Sequence, residues 1–259
     1  MKKKRILAML LAVASCLSLA VSASAANTPN RKATDFKDYD RTAWYAEAVS
    51  AAVDNGLLYG KSATVIDPNG DMTRAEMAAI INRSFGCYKS ADVSQYKDVS
   101  KNKWYYKDVA LAVQMGTYNG RSSSTMVPDA PITRQEAMTV VARALELDYD
   151  AYAKTDLSAF SDRSEISNWA LPYVRAMVGA DYIHGRGKIL APQDDITRAE
   201  FAQIFHNIIG TYITAKGSYD KDIKGSVLIR TDEVTLQNMT VDGDLIIGCG
   251  AADGKMTPA

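Results

Sequence analysis

The central part of the chain alternates between segments with helical periodicity and turn-rich connections. Residues 44–55 place apolar side chains three and four positions apart, and Gly56 follows them as the residue type that most often closes a helix in a left-handed conformation. A second apolar stripe at helical spacing runs from Met77 to Phe85. The same pair of segments occurs three times, which predicts six helices.

Each second helix is predicted to begin at a capping box, in which a threonine and a glutamate three residues later bond each other's free backbone N–H groups. This structural role explains both residues without any part in catalysis. The three boxes are Thr73/Glu76, Thr133/Glu136 and Thr197/Glu200.

Further landmarks keep their spacing in all three copies, here called repeats 1 to 3 and bounded at 36–88, 89–152 and 153–213. Each repeat opens with an aromatic-x-Asp, continues with a tryptophan, has a glycine sixteen residues later, and places an arginine six residues after a proline. One pair of helices cannot bury its apolar stripe alone, so the repeats should pack around a shared centre. The landmarks are Asp38, Asp98 and Asp162; Trp44, Trp104 and Trp169; Gly60, Gly120 and Gly185; Arg74, Arg134 and Arg198.

The two ends of the chain differ from the repeats. Residues 1–25 combine a basic head, an apolar stretch and a small-residue cleavage site, which predicts a secretory signal peptide, followed by a linker over 26–35. The apolar stretch is too short for a bilayer core of about 30 Å. Lipidation of Cys16 stays open as an alternative. Residues 214–259 contain short β-rich stretches between glycines and resemble the first rungs of a truncated parallel β-helix.

Charge and composition exclude several function classes. The chain has 30 basic and 30 acidic residues, and removal of the signal peptide leaves a net charge of −4, which argues against nucleic acid as a partner. The three cysteines are isolated and there are two histidines, so neither a disulfide framework nor a metal site is predicted. No combination of base and nucleophile stands out, so no catalytic residue and no cofactor is expected.

The landmarks and their intervals resemble the S-layer homology (SLH) motif, in three tandem copies. The resemblance implies a mainly α fold of three helix-hairpin repeats in a pseudo-threefold bundle, here with a short β-rich C-terminal segment. It implies a secreted protein of the bacterial cell wall and cell surface that is anchored without a covalent bond. The partner would be the secondary cell-wall polymer, a pyruvylated glycan bound in grooves between the motifs, with no membrane partner after signal cleavage. Self-assembly into a surface layer is a further expectation.

The landmark residues have alternative roles. An arginine in the first turn of a helix opposes the helix dipole, at a cost of about 0.3–1 kcal/mol, so it needs a partner. That partner is either an anion, held together with the helix N–H groups, or the opening aspartate of a neighbouring repeat. The tryptophans either fill the seam between repeats or form a platform for a sugar, and the glycines either make turns or admit a glycan.

By the resemblance, the arginines and tryptophans are the first ligand candidates and the glycines the second, with the opening aspartates beside them. Repeat 3 departs from the pattern, because Asp181 stands where the other copies have a helix-closing glycine. An acidic group there should weaken binding of an anionic polymer. His184 is expected to be a solvated loop residue. Two other functions remain open: the anchor end of an envelope polysaccharide-acting enzyme, and a protein-binding helical repeat.

Overall fold

The computed structural model describes residues 31–86 and 89–248. The predicted signal peptide, with Cys16, lies outside these residues, as do most of the linker, Cys87, Cys249 and the end of the β-rich segment.

Six α-helices form within the described residues, two in each repeat, as predicted. Short 3₁₀ turns lie at Ala33–Asp35 and Arg163–Glu165. The helices are α1 (Ala46–Asp54), α2 (Arg74–Phe85), α3 (Tyr106–Gln114), α4 (Arg134–Ala144), α5 (Leu171–Gly179) and α6 (Arg198–Ile208).

The ends of the helices follow the sequence signals. In all three capping boxes the threonine oxygen accepts from the glutamate N–H, and the glutamate accepts from the threonine N–H. Gly56 has the left-handed φ of +68° that was predicted for it, and Asp181 adopts the same conformation at +64°. Aspartate is one of the few residues with a side chain that tolerates this region, so the substitution in repeat 3 leaves the chain path intact.

The helices pack across the repeats. The main helix pairs are α6 with α1, α2 with α3, and α4 with α5, so the expected hairpin within each repeat is replaced by contacts with the neighbouring repeat. The connection at 55–73 buries its own side chains, including Leu58, Ile66 and Met72, beside the helices. A connection of that length lets the second helix lie away from the first, so that its apolar stripe is buried against the next repeat.

A ring of three backbone hydrogen bonds joins the repeats at the centre. Met72 N–H donates to Ile196 O (2.9 Å), Ile196 N–H to Ile132 O (3.0 Å), and Ile132 N–H back to Met72 O (3.0 Å). All three side chains are fully buried in a single apolar core that draws on every repeat. Each of these residues directly precedes a capping threonine, so the ring fixes where the three second helices begin.

The C-terminal segment forms two small parallel sheets, ordered β1-β3-β5 and β2-β4. Strands β3, β4 and β5 match the predicted stretches, whereas β1 and β2 were not predicted. Arg230 joins this segment to repeat 1 by donating to the backbone oxygens of Arg83 and Asn55 at the ends of α2 and α1. The strands are β1 (Ile209–Ile213), β2 (Gly217–Tyr219), β3 (Ser226–Ile229), β4 (Val234–Leu236) and β5 (Leu245–Ile247).

Candidate functional site

The arginines of the three capping boxes, called the inner arginines, are buried, with 2–5% of each residue exposed. Arg74 donates from Nε to Met126 O (2.9 Å) and from Nη2 to Asn119 O (2.9 Å), and its Nη1 lies 3.1 Å from Glu136 Oε1. Every one of these partners belongs to repeat 2, so the side chain fastens the start of α2 to the following repeat.

The other two inner arginines repeat this arrangement around the molecule. Arg134 donates to Leu190 O (2.8 Å) and pairs with Glu200 (3.1 Å) of repeat 3. Arg198 donates to Ile66 O (2.8 Å) and to Tyr59 O of repeat 1. It also pairs with Glu76 at 3.4 Å, which closes the circle. The alternative of a salt bridge to an opening aspartate is therefore wrong, because the capping glutamate of the next repeat is the carboxylate that pairs with each inner arginine.

The N–H groups at the start of the second helices are also occupied. Arg74 N–H donates to Ala130 O (3.0 Å) and Ala75 N–H donates to Pro128 O (2.9 Å). The equivalent groups of α4 and α6 donate in the same way to the proline-containing loops of repeats 3 and 1. The helix N–H groups, which one of the two alternatives from the sequence gave to an anion, are thus bonded to backbone carbonyls, and this explains the recurrent proline loop.

The opening aspartates hold those same loops from within their own repeat. Asp38 accepts from the N–H groups of Ile66 (2.9 Å) and Asp67 (2.7 Å), and Asp98 and Asp162 do the same in their repeats. The second of the two residues that donate to each aspartate has a left-handed φ of 50–59°, which is unusual for a residue with a side chain. These residues are Asp67, Val127 and Ala191. The aspartates therefore stabilise a strained turn whose carbonyl group is the acceptor for an inner arginine.

The landmark glycines are required mainly for space. A Cβ on Gly60 would lie 2.4 Å from Phe36 Cε1, and one on Gly120 would lie 2.4 Å from Tyr96 Cε1, so the opening aromatic ring packs directly on the glycine backbone. Gly185 meets Phe160 in the same way and, in addition, has a left-handed φ of +75°. The turn interpretation therefore holds at Gly185, and close packing explains the other two.

The tryptophans of the repeats lie on the surface. Trp44, Trp104 and Trp169 are 52–63% exposed, so they do not fill the seam between repeats. Trp44 and Trp104 each pack edge-on against the following tyrosine, with ring centroids 5.6 Å apart. This contact holds the indole in place while most of its surface remains open to a ligand.

A second set of cations, here called the outer cations, was missed by the sequence analysis. Lys61, Arg121 and Arg186 directly follow the landmark glycines, and their side chains are 33–38% exposed. Each pairs with the capping glutamate of its own repeat, at 2.7 Å, 3.0 Å and 2.6 Å. The recurrence of a basic residue after each glycine is the signal that would have revealed them.

Each capping glutamate is therefore bracketed by an inner arginine and an outer cation. Burial alone would raise the pKa of Glu76, but Arg198, Lys61 and the Thr73 N–H together outweigh it and hold the pKa below its usual value. The pKa values of Glu136 and Glu200 are lowered by the same kind of balance. Two cations around one carboxylate leave one surplus positive charge at Glu76 and one at Glu136, whereas at Glu200 a second carboxylate, Asp194, pairs with Arg186 at 2.8 Å and balances the charge.

One junction contains a groove of about 450 Å³, between repeat 3 and the tryptophan of repeat 1. Outer and inner cations both reach it, and amide side chains of α6 form one wall. His184, which lines the groove, places Nε2 3.1 Å from Asp181 Oδ1, within hydrogen-bonding distance of the acidic residue that was expected to repel a ligand. Residues lining the groove include Trp44, Arg134, His184, Arg186, Gln203 and Asn207.

A family model for the S-layer homology domain matches this chain three times, at residues 35–78, 95–138 and 159–202. The chain belongs to the S-layer homology domain family. Each match begins at the opening aromatic-x-Asp and ends in the first turns of the second helix, so the landmarks described above are those of SLH motifs.

Relatives of this SLH chain include much longer proteins. It is 33% identical over 191 residues to the surface-layer 125 kDa protein of Lysinibacillus sphaericus, covering 72% of this chain and 16% of that protein. It is 26% identical over 210 residues to an endoglucanase of Bacillus sp. (strain KSM-635), covering 80% of this chain and 22% of the endoglucanase. A cellulosome-anchoring protein of Acetivibrio thermocellus is 28% identical over 154 residues, covering 56% and 33%. The chain thus spans a third or less of the length of these relatives.

The SLH motifs and these relatives indicate a secreted protein of the cell surface, and at the level of the family they support anchoring to the cell wall. Within residues 31–86 and 89–248, no helix has the length and apolar character needed to cross a bilayer. Over the same residues, no group of three or more histidine, cysteine or acidic side chains is placed to hold a metal ion.

Proposed function

We propose that this chain is a non-covalent anchor that binds an acidic secondary cell-wall polymer in the grooves between its SLH motifs. The observation that carries the proposal is the presence, in one groove, of the exposed indole of Trp44 and the partly exposed guanidinium of Arg186. An indole offers a flat apolar surface to a sugar ring, and a guanidinium can bond a carboxylate with two parallel hydrogen bonds.

The charge of the junctions favours an acidic ligand. Glu76 and Glu136 are each outnumbered by two cations, and at Glu200 the second carboxylate, Asp194, is more than half exposed; all three outer cations are partly accessible from solvent. A sugar with a carboxylate, such as a pyruvate ketal, would meet the surplus charge without leaving a buried ion unpaired. The protein as a whole would not attract such a polymer, since its net charge without the signal peptide is −4.

We extend the proposal to all three junctions through a pseudo-threefold bundle. The closed ring through Met72, Ile132 and Ile196 supports this arrangement, since it treats the three repeats alike. Trp104 would then act with Lys61, and Trp169 with Arg121, in two further grooves.

The landmark residues receive different parts in this proposal. The tryptophans and outer cations contact the glycan, and Arg134 contributes from the floor of its groove. Arg74 and Arg198 do not contact the glycan in this proposal; they hold adjacent motifs in register through their bonds to the next repeat. The opening aspartates and landmark glycines shape the loops that carry the outer cations.

The β-rich segment is proposed to be part of a parallel β-helix that the anchor holds at the cell surface. Its support is the aligned stacking of Ile213, Ile229 and Ile247 in adjacent parallel strands. Self-assembly of this chain into a surface layer remains a prediction from the resemblance.

The test is co-sedimentation of the purified protein with cell-wall sacculi, before and after removal of the secondary polymer. We expect binding to native sacculi, loss of at least ten-fold in affinity in a Trp44→Ala/Trp104→Ala/Trp169→Ala variant, and no binding to stripped sacculi. Tyr149→Ala, which alters another exposed aromatic residue, is the matched control.

Two outcomes would reject the proposal. Equal binding to native and stripped sacculi would favour a protein partner. Unchanged affinity in the triple tryptophan variant, with its fold verified by circular dichroism, would remove the tryptophans from the binding surface.

A further inference from the structure

A second pocket, of about 530 Å³, lies in repeat 3 away from the groove described above. It forms where residues 154–158, at the start of repeat 3, lie beside α5. Three cationic side chains face it together with one carboxylate, two hydroxyl groups and two leucines. The lining residues are Lys154, Thr155, Asp156, Leu157, Ser158, Arg163, Leu171 and Arg175.

The three cations of this pocket differ from the outer cations in having no carboxylate partner. Among the described residues, no ion pair joins Lys154, Arg163 or Arg175 to an acidic group. Arg163 donates to Phe160 O at 3.3 Å and Arg175 donates from Nη1 to Ala153 O at 3.1 Å. These bonds orient both guanidinium groups, and within the described residues no acidic group lies at ion-pair distance from either of them.

Arg175 also holds a donor that finds no acceptor within the described structure. Its Nε is buried and makes no hydrogen bond, although a guanidinium N–H taken out of water normally has a partner. Nη1 already donates to Ala153 O, so Nε is the donor that is left for the oxygen atom of a ligand.

The carboxylate in the pocket does not cancel this charge. Asp156 accepts from Ser158 N–H at 2.8 Å and from Ser158 Oγ at 2.7 Å. These bonds direct the carboxylate at its own turn. The pocket therefore carries a net charge of about +2, counted from three full positive charges and one negative charge at neutral pH.

The pocket is specific to repeat 3. Arg175 lies six residues after Trp169, where the other repeats have Ser50 and Ala110. Arg163 follows the opening aspartate, in a position occupied elsewhere by a tyrosine and a valine, and begins the short 3₁₀ turn Arg163–Glu165. A role shared by all SLH motifs thus does not explain these cations.

We propose that Lys154, Arg163 and Arg175 form a separate binding site for an acidic saccharide group, a carboxylate or a phosphate ester. Both groups present paired oxygens that match the guanidinium fork. The volume of the pocket lies in the range of small-ligand sites and accommodates a sugar that carries the acidic group. This site is independent of the tryptophan grooves and would give repeat 3 a second contact with an acidic glycan.

The test is isothermal titration of the full chain at low salt with glucuronate, with glycerol 3-phosphate and with neutral glucose. We expect one of the two anions, or both, to bind, and glucose not to bind. Which anion binds identifies the source of the acidic group. The double variant Arg163→Gln/Arg175→Gln should weaken anion binding at least ten-fold, and Arg41→Gln/Lys101→Gln, which removes two exposed charges elsewhere, should not.

Additional variants keep the test decisive. If the loss of Arg175 disturbs folding, Lys154→Gln/Arg163→Gln leaves its bond to Ala153 in place and should still weaken binding about ten-fold. The triple tryptophan variant should retain anion binding here, which separates this site from the proposed wall-binding grooves. Absence of anion binding, or equal binding by wild type and both double variants, would overturn the proposal.

Discussion

The inner arginines and the outer cations meet at the same glutamates but lie in different surroundings. Arg134 and Arg186 both pair with Glu200, yet Arg134 is buried and is bonded to the backbone of the next repeat, whereas Arg186 is more than one third exposed. Both sets recur three times in the sequence. The comparison teaches that recurrence identifies important residues, and that burial separates those that mainly hold the repeats together, including Arg134 at the floor of its groove, from those that remain largely open to a ligand.

The largest difference is expected when the two partners of Glu200 are removed in turn. Arg134→Ala should lower the free energy of unfolding by about 3 kcal/mol, because it leaves the buried carbonyl of Leu190 without its donor, removes the buried cation beside Glu200 and empties the space that the side chain fills. Arg186→Ala should cost about 1 kcal/mol or less, since solvent replaces much of its interaction. Urea denaturation measures both values, and equal losses would contradict the distinction between inner and outer cations.

A smaller but clear loss is expected at the opening aspartates. Asp38→Asn should lower the free energy of unfolding by about 2 kcal/mol, because the amide cannot accept from both Ile66 N–H and Asp67 N–H in a strained turn. Asp40→Asn is the matched control, since Asp40 accepts two bonds from Thr42 on the surface. Thermal unfolding should give Asp38→Asn a clearly lower melting temperature than Asp40→Asn. The reverse order would refute the proposed role of Asp38 in holding the loop.

The bracketed glutamates predict a loss of stability in acid. The folded chain holds the pKa of Glu76, Glu136 and Glu200 below the ordinary value of 4.5, so the unfolded chain takes up protons at higher pH than the folded chain. Their contribution is complete above pH 4.5 and disappears as the pH falls through the lower folded-state values. We therefore expect the urea midpoint to fall as the pH is lowered from 7 to 3.

A glutamine variant tests the assignment of that acid transition. Glu200→Gln should be less stable than wild type at pH 7 and should lose less stability on acidification. The exposed Glu47→Gln on α1 is the charge control. An acid transition of unchanged size in Glu200→Gln would assign the effect to other groups.

The smallest effect on stability is expected at the tryptophans. Trp44→Ala removes an edge-on contact with Tyr45 and an indole that is largely exposed, so we expect a loss of about 1 kcal/mol or less. If chemical denaturation shows that Trp44→Ala lowers the free energy of unfolding as much as Arg134→Ala does, Trp44 holds the repeats together and its proposed role in binding fails.

Local sequence signals were sufficient for the helices and their ends. The capping boxes at Thr73, Thr133 and Thr197 and the helix-closing Gly56 were predicted because the interacting groups lie within a few residues of one another. Three strands of the C-terminal segment were predicted for a similar reason. Strands β1 and β2 were missed because β1 continues directly from α6 and its parallel partner, β3, begins well beyond it in sequence.

The partners of the landmark residues were beyond local reasoning. Arg198 bonds Ile66, which lies 132 residues earlier, and no pattern near Arg198 indicates a carbonyl in repeat 1. The same holds for the pairing of α6 with α1 and for the groove that joins Trp44 to Arg186.

The sequence by itself determined that this chain consists of three SLH motifs, with capped helices and a β-rich continuation, since periodicity, caps and turn residues act over short distances. Only the tertiary structure decided which recurrent residues are buried and which are open. That outcome depends on how the three repeats pack against one another. In the folded chain, a backbone carbonyl and a carboxylate of the next repeat bind each inner arginine, for which the sequence alone also allowed an external anion.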